Sequence, residues 1–255
     1  VNEIEAGNLN ADVYVGGSYE IRHLGTSIQN MATQIRRLMD DIVAEHESKR
    51  KNEFDVLQSQ INPHFLYNTL DIIVWMIENE KQADAVKVVT ALARFFRISL
   101  SRGKSIITVR DEIEHVRNYL TIQHMRFKNR FTYEIEADEE VMDLASVKLI
   151  LQPLVENAIY HGIKPNGKPG IISIEGGYVG DNIFVSVKDN GVGICKDQLM
   201  EIKDSIDKHH LRAGFGISSV NDRIKLHFGA EYGLNIYSTY GCGTEIRIIL
   251  PSNHA

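Results

Sequence analysis

An α+β chain, helical at its start and mixed at its end, is predicted by three observations. Apolar residues recur at helical spacing through the first part of the chain. The period changes to two after Lys128-Asn129-Arg130. Helices and strands beyond that point follow one another without a regular βαβ alternation. The expected architecture is an N-terminal helical coiled coil, a helical hairpin that pairs with a second copy into a dimeric four-helix bundle, and a C-terminal α/β sandwich.

The first element is a heptad seam. Ile21, Leu24, Ile28, Met31, Ile35, Leu38 and Ile42 alternate spacings of three and four, the a/d pattern of a coiled coil; a single amphipathic helix on a globular core is the plainer alternative. The seam lapses through the polar run Glu45 to Asn52 and resumes out of phase at Phe54, Leu57 and Ile61, a slip that locally rewinds a coiled coil and suits a signal-carrying linker. A hairpin follows, with arms from Phe54 to Asn79 and from Ala85 to Ser101 and a turn near Lys81–Asp84. Val88, Leu92, Phe95, Phe96 and Leu100 are expected on its apolar face, and Gly103 as the stop. Thr108 reads as an N-cap with Asp111 and Glu112 in the first turn of a helix reaching Phe127. Phe131–Glu136 reads as a strand, and a helix carries Leu149, Leu151, Leu154, Val155 and Ala158. Strands near 170–178 and 182–188, a helix from Gly216 to Phe228, and closing strands near 234–238 and 244–250 complete the chain. No internal repeat or low-complexity tract is present.

Composition narrows the classes. Of 255 residues, 43% are hydrophobic and 24% charged, and the net charge is −6; this is ordinary globular composition. The acidic balance, without a basic stripe interleaved with aromatics, argues against nucleic acid as a partner. Cys195 and Cys242 lack metal-ligand spacing and read as reduced thiols. The longest apolar run, Ile72 to Ile77, is far shorter than the ~18 residues a bilayer demands. The chain opens at Val1 without methionine and reads as a piece of a longer protein.

Three segments carry distinctive chemistry. In Leu154-Val155-Glu156-Asn157-Ala158-Ile159-Tyr160-His161-Gly162, a polar pair interrupts an apolar helix, and an unmet buried polar group costs ~1–3 kcal/mol. The Asn157 amide oxygen is a suitable hard ligand for Mg²⁺, or else it pins the helix to a neighbouring backbone. Asp189-Asn190-Gly191-Val192-Gly193 follows a strand. Its glycines permit a tight turn and close approach to a ligand, and Asp189 could accept a hydrogen bond from an exocyclic amine; a plain turn is the alternative. Gly214-Phe215-Gly216 opens a helix, whose free N–H groups favour an anion. Gly241-Cys242-Gly243-Thr244, between two strands, is by itself an ordinary hairpin turn.

In their order these segments resemble the GHKL ATP-binding fold, shared by histidine kinases, a class of heat-shock chaperones, MutL and type II topoisomerases. The resemblance implies that Asn157 holds Mg²⁺ and that Asp189 accepts the adenine amine. It implies that Gly191 and Gly193 shape the adenine pocket, that Gly214 and Gly216 hinge a lid over the phosphates, and that Thr244 supports the adenine end. Tyr160 and His161 fall where many kinases place a basic residue and an aromatic one, so the resemblance assigns no phosphate contact to either. Lys208, His209, His210 and Arg212 lie in the lid, where solvated charge is the plainer reading. The hydrolysing members carry a water-activating Glu four residues before the Asn. Here Pro153 stands at that position, and Glu156, one residue from the Asn, is expected to point elsewhere. Such a site is better suited to presenting the γ-phosphate to another nucleophile than to hydrolysing ATP.

The candidate nucleophile is His64, in Gln60-Ile61-Asn62-Pro63-His64-Phe65-Leu66-Tyr67-Asn68-Thr69-Leu70. Pro63 either kinks a continuous helix beside it or begins a new helix capped by Asn62. An imidazole, with an ordinary pKa of ~6.5, is mostly neutral and nucleophilic at pH 7. Asn68, one turn on, can orient the ring. This string and Leu151-Gln-Pro-Leu-Val-Glu-Asn-Ala-Ile-Tyr-His-Gly162, with Asn221-x-Arg223, resemble the LytS/YesM-type sensor histidine kinases over roughly Phe54 to Pro251. Glu5-Ala6-Gly7-Asn8-Leu9 and Glu20-Ile21 more loosely resemble the end of a HAMP module. Many histidine kinases carry an acidic residue directly after the His; here it is Phe65, so the proton acceptor is open.

The resulting expectation is a partial HAMP module and signalling helix over 1–52, a dimerisation and phosphoacceptor hairpin over 53–105, and an ATP-binding domain over 106–255. ATP and Mg²⁺ are the implied cofactors. His64 would take the γ-phosphoryl group and pass it to an aspartate on a response regulator. The chain would form a homodimer on the cytoplasmic side of the cell membrane, anchored through a segment upstream of Val1. An ATP-hydrolysing clamp of the same fold and a non-catalytic scaffold are the rival functions.

Overall fold

The structure, a computed structural model, describes scattered helical positions between Tyr19 and Arg37, and then residues 63–100, 105–128, 130–207 and 215–253. The chain divides into two compact units, Val1–Asn62 and Pro63–Ala255. In the first unit the described positions are helical. Thr26, Ser27 and Thr33 return their hydroxyls to carbonyls four residues earlier, the usual way a helix satisfies such side chains. Of the heptad positions, Met31 alone is described; it is helical and 57% exposed. The rest of the seam, the slip after Ile42, Phe54, Leu57, Ile61 and the HAMP-like residues lie outside the described residues.

The second unit opens with the hairpin. Helix α1 spans Pro63–Glu78 and α2 spans Gln82–Ser99. Asn62 lies outside the described residues, so the described helix starts at Pro63, where a missing N–H costs nothing. The α1 stripe that turns inward is Phe65, Thr69, Ile73 and Met76, at spacings of four, four and three, as one face of a helix requires. The turn falls at Asn79–Lys81, earlier than expected, with Glu80 at φ 58. On α2 the buried residues are Ala85, Val88, Ala91, Phe95 and Ser99. Leu100, expected on this face, is 45% exposed: the helix ends at Ser99, and the chain turns the side chain away. Gly103 lies outside the described residues.

Helix α3, Val109–Arg126, is capped by Thr108, whose hydroxyl accepts the Asp111 N–H at 3.1 Å. It buries far more of its circumference than an ordinary surface helix, including Glu112, His115, Val116, Tyr119 and Gln123. The reason is position: α3 packs against the hairpin on one side and the C-terminal sheet and its helices on the other. Short strands β1 (Ile106–Thr108) and β3 (Ala145–Val147) pair antiparallel beside it, a small sheet the periodicity did not reveal.

The main sheet joins β2 (Phe131–Ala137), β4 (Gly170–Val179), β5 (Asn182–Asp189), β7 (Gly243–Pro251) and β6 (Gly233–Thr239) in the order β2-β4-β5-β7-β6. β2 and β4 run parallel and the other pairs antiparallel. The parallel pair needs a crossover. Helix α4 (Leu151–Asn157) and its continuation as a π-helix (Ala158–Ile163) provide it. Ile172, Ile174, Ile183, Val185, Val187, Ile246, Ile248 and Leu250 are buried on one face. They meet Leu151, Leu154 and Val155 of α4 and Val220 and Ile224 of α6 (Phe215–Phe228). Each such side chain contributes ~1.5–3 kcal/mol on burial. Helix α5 (Lys196–Asp207) was not anticipated; its sequence is mostly polar and buries only one edge.

Candidate functional site

The site grows from the end of β5. Asp189 is 6% exposed and pairs across the sheet with Thr244 on β7. Its Oδ1 accepts the Gly191 N–H at 2.8 Å. Burial pushes the carboxyl up to about 6, although backbone N–H groups of Gly191 and Thr244 pull the other way. Chain packing around it is tight enough to exclude side chains. A Cβ on Gly162 would lie 2.5 Å from Asp189 Oδ1, and one on Gly191 would overlap the Gly162 carbonyl. The Gly162 carbonyl also accepts from Val192 N at 3.0 Å. Gly162, Asp189 and Gly191 therefore interlock, and the π-helix is what delivers Gly162 to the strand end. A π-bulge at a functional site is a familiar device.

Gly193 sits at φ 65, and a Cβ there would overlap the Thr239 carbonyl. The glycine thus lets the 191–194 loop lie against the β6–β7 turn, whose Gly241 N–H donates to the Val192 carbonyl at 2.7 Å. Ser238 closes this seam: its hydroxyl donates to the Gly243 carbonyl at 2.9 Å, accepts Ile194 N–H at 2.9 Å and meets Thr244 Oγ1 at 2.8 Å. Ser238 was not picked out from the sequence. Gly216 lies exposed in the first turn of α6, with Pro153 Cβ 3.7 Å from where its Cβ would be, ordinary contact that does not demand glycine. Gly214, Lys208, His209, His210 and Arg212 lie outside the described residues.

These elements enclose a cavity of about 620 Å³. Asp189 and Thr244 line it, as do Asn157 and His161 from the α4–π-helix segment, and Leu154, Val187, Ile202 and Ile217 supply apolar walls. A cavity with apolar walls and one buried carboxylate suits a heterocycle bearing an amine. Asn157 is half-buried and Glu156 is not part of the lining; Glu156 instead accepts from Gln152 Nε2 at 2.9 Å. Tyr160 leans on Phe127, and its hydroxyl accepts from Gln123 Nε2 at 3.4 Å. Among the described residues no group of three or more His, Cys, Asp or Glu gathers as a metal cage. One amide oxygen at the edge of this cavity fits Mg²⁺, which usually takes most of its ligands from phosphate and water.

His64 is exposed in the first turn of α1. Asn68 Nδ2 lies 3.0 Å from its Nδ1 and donates to the His64 carbonyl at 2.5 Å, tying the ring to its own helix. Phe65 does the opposite. It is 7% exposed, its ring 5.1 Å from that of Phe95 and 5.2 Å from that of Tyr119. The residue directly after His64 is thus an anchor for α1. Tyr119, whose hydroxyl accepts from Gln123 Nε2 at 2.8 Å, is raised by burial first and by the nearby Glu156 charge next. His115 stacks on Phe95 at 4.3 Å with Nε2 2.8 Å from Ser99 Oγ; burial, then the Lys148 charge, lowers it to about 3 and keeps it neutral.

Two family models match the chain. "Histidine kinase" covers residues 52–131, and "Histidine kinase-, DNA gyrase B-, and HSP90-like ATPase" covers 142–254. Sensor histidine kinase YesM of Bacillus subtilis is 36% identical over 221 residues, 87% of this chain and 37% of the relative. Sensor protein LytS of Staphylococcus epidermidis is 32% identical over 200 residues, 78% of this chain and 34% of the relative. The chain thus spans little more than a third of the length of the curated relatives it matches. Among solved structures, the histidine kinase domain of the blue-light activated histidine kinase of Erythrobacter litoralis matches with a TM-score of 0.44 and 17% identity, covering 82% of this chain and 94% of that one.

Proposed function

We propose, for a chain that belongs to the sensor histidine kinases of the LytS/YesM type, a two-step phosphotransfer with His64 as the first acceptor. Its C-terminal half is an ATP-binding domain of the histidine kinase and gyrase B class. The observation that carries the reading is the cavity, which lies between buried Asp189 and half-buried Asn157 and is walled by apolar side chains. Asp189 would accept the adenine amine, Thr244 would support that end, and Asn157 with His161 would face the phosphates. Mg²⁺, held by Asn157, would neutralise charge on the triphosphate.

An imidazole nitrogen of His64 then attacks the γ-phosphorus. A P–N bond forms, the bond to the β–γ bridging oxygen breaks, ADP leaves and the ring loses its proton. Positioning and charge neutralisation are what such a transfer demands. Pro153 leaves the pocket without a base at the position from which hydrolysing relatives activate water, which favours transfer over hydrolysis.

The reading extends to the division of labour. Residues 1–52 form a partial HAMP and signalling helix, 53–105 the phosphoacceptor hairpin, and 106–255 the ATP-binding part. The hairpin exposes Tyr67, Leu70, Val74 and Ile77 on α1 and Val86 and Val89 on α2. Their spacing of three and four on α1 suits a partner helix, so two hairpins pair into a four-helix bundle and a homodimer. The phosphoryl group passes to an aspartate of a response regulator. The chain works at the cytoplasmic side of a membrane, held there by a segment upstream; no helix among the described residues is long and apolar enough to cross one.

Incubation with γ-labelled ATP and Mg²⁺ tests the proposal. Acid-labile, alkali-stable label that is absent in His64→Gln, with nucleotide affinity unchanged, is the expected result. Free phosphate without labelled protein points to a clamp, and neither product to a scaffold.

A further inference from the structure

A buried carboxylate is costly unless its partners compensate locally, and Glu112 is 1% exposed without belonging to the cavity or to the His64 turn. It stands in the first turn of α3 but serves another helix. Its two oxygens accept the backbone N–H groups of Leu149, of Ile150 at 3.0 Å and of Leu151 at 3.1 Å. These are amides that the start of α4 leaves unpaired. The same elbow is held from the opposite side by α6: Arg223 donates to the Leu149 carbonyl at 3.4 Å and to the Lys148 carbonyl. Leu149 sits at φ 59, a left-handed conformation that a branched side chain disfavours. The elbow keeps that shape because both neighbours grip it.

A local Ser or Asp cap at the start of α4 would satisfy the same amides without burying a charge from elsewhere. Burial drives Glu112 up to about 7, against the pull of three N–H groups and of Arg223. Lys148, itself 6% exposed, faces the same carboxylate. What the costly arrangement adds is a connection. Upstream, α3 meets the hairpin through His115 and Tyr119, the latter packed on Phe65 beside His64. Downstream, α4 carries Leu154 and leads into Asn157, while α6 brings Ile217 to the cavity.

We propose that Glu112 and Arg223 are positioning residues of a joint at Lys148–Leu151 that ties the placement of Asn157 and α6 to α3, so that filling the cavity is transmitted to the hairpin that carries His64. The inference rests on the nucleotide reading of the cavity but not on phosphotransfer. Trp75, the single tryptophan, reports on the transmission. Its ring lies 4.8 Å from Lys81 Nζ in the hairpin turn and 4.9 Å from Lys128 Nζ just past α3, so its emission follows the hairpin's seat on α3.

The experiment titrates the whole chain with ADP and with a non-hydrolysable ATP analogue plus Mg²⁺. Calorimetry measures binding and fluorescence measures Trp75. The unaltered chain is expected to bind with a change in emission. Glu112→Gln keeps the shape without the charge, and Arg223→Lys keeps the charge without the fork that spans two carbonyls. At saturation each is expected to lose about five-fold or more of the emission change, with affinity weakened by about three-fold or less, since coupling and binding are separate free energies. A variant that merely unfolds in part loses binding capacity while keeping the full emission change per bound nucleotide, which would overturn the joint. So would full-amplitude emission in both variants, or nucleotide binding by the unaltered chain with Trp75 silent. Absence of any heat of binding in the unaltered chain would overturn the nucleotide reading, and the joint with it.

Discussion

The hairpin and the nucleotide half satisfy their surfaces in opposite ways. The hairpin uses one stripe, Phe65–Thr69–Ile73–Met76, to seat on α2 and α3, and leaves a second apolar stripe, Tyr67–Leu70–Val74–Ile77, facing outward. The nucleotide half closes its sheet on α4 and α6, and its cavity is edged by backbone packed so closely that glycine is obligatory at several points. One region leaves an apolar stripe at its surface, and the other packs backbone closely around a cavity. At the start of α1 the two modes meet: Phe65 is buried and fixes the helix, while His64 beside it stays at the surface.

That contrast can be broken most forcefully at the interlock. Gly191→Ala places a methyl on the Gly162 carbonyl, and overpacking without room to shift costs about 3 kcal/mol or more. Thermal unfolding of the nucleotide half should fall sharply and nucleotide binding should vanish. Gly216→Ala, with its nearest contact at 3.7 Å, should leave melting within about 0.5 kcal/mol of the parent. Equal effects from the two would mean the interlock does not define the cavity.

The hairpin offers the next test. Val74→Glu puts a charge on the 54% exposed site without touching the inward stripe. Sedimentation should show a dimer constant weakened by about 100-fold or more, or ~2.7 kcal/mol, while the helix content of each chain holds. A dimer unaffected by the charge would assign its interface elsewhere.

The smallest expected effect is the pH response of Asp189, whose carboxyl is pushed up to about 6 from an ordinary 3.8. Folding raises the proton affinity of this carboxyl, so its contribution to stability is full below about 4 and fades as pH rises through about 6, with roughly 1.3 kcal/mol lost between pH 5 and 7. Binding runs the other way, since the ionised carboxylate is the better acceptor for an amine. Between pH 5 and 7 the empty chain should melt lower while nucleotide affinity rises, by about ten-fold in all across that span. Asp189→Asn should flatten both trends; a parallel rise or fall of the two would sink the assignment.

Much of this was legible in local pattern. The Thr108 cap, the strand that ends at Asp189, the hairpin turn before Thr244 and the pairing of Asn68 with His64 each rest on residues a few positions apart, where spacing alone decides who can meet. Other features were not. Glu112 reads as a first-turn acid on α3 and proves to cap α4, a contact across 37 to 39 residues. Phe65 reads as a departure from a motif and proves to be an anchor, and Gly193 serves the β6–β7 turn as much as any ligand. Helix α5 hid because its polar sequence carries too weak a stripe, and the parallel pairing of β2 with β4 because pairing leaves no periodic mark.

From the residues alone, then, came the order of elements and the helix that carries His64, because helix and strand periods and turn residues act over single turns. The tertiary structure decided which side chains share a cavity, which glycines are sterically compelled, and that one buried carboxylate of α3 caps α4. Those outcomes depend on distances between segments far apart in the chain, and they are settled only when the core packs and each buried polar group must find a partner.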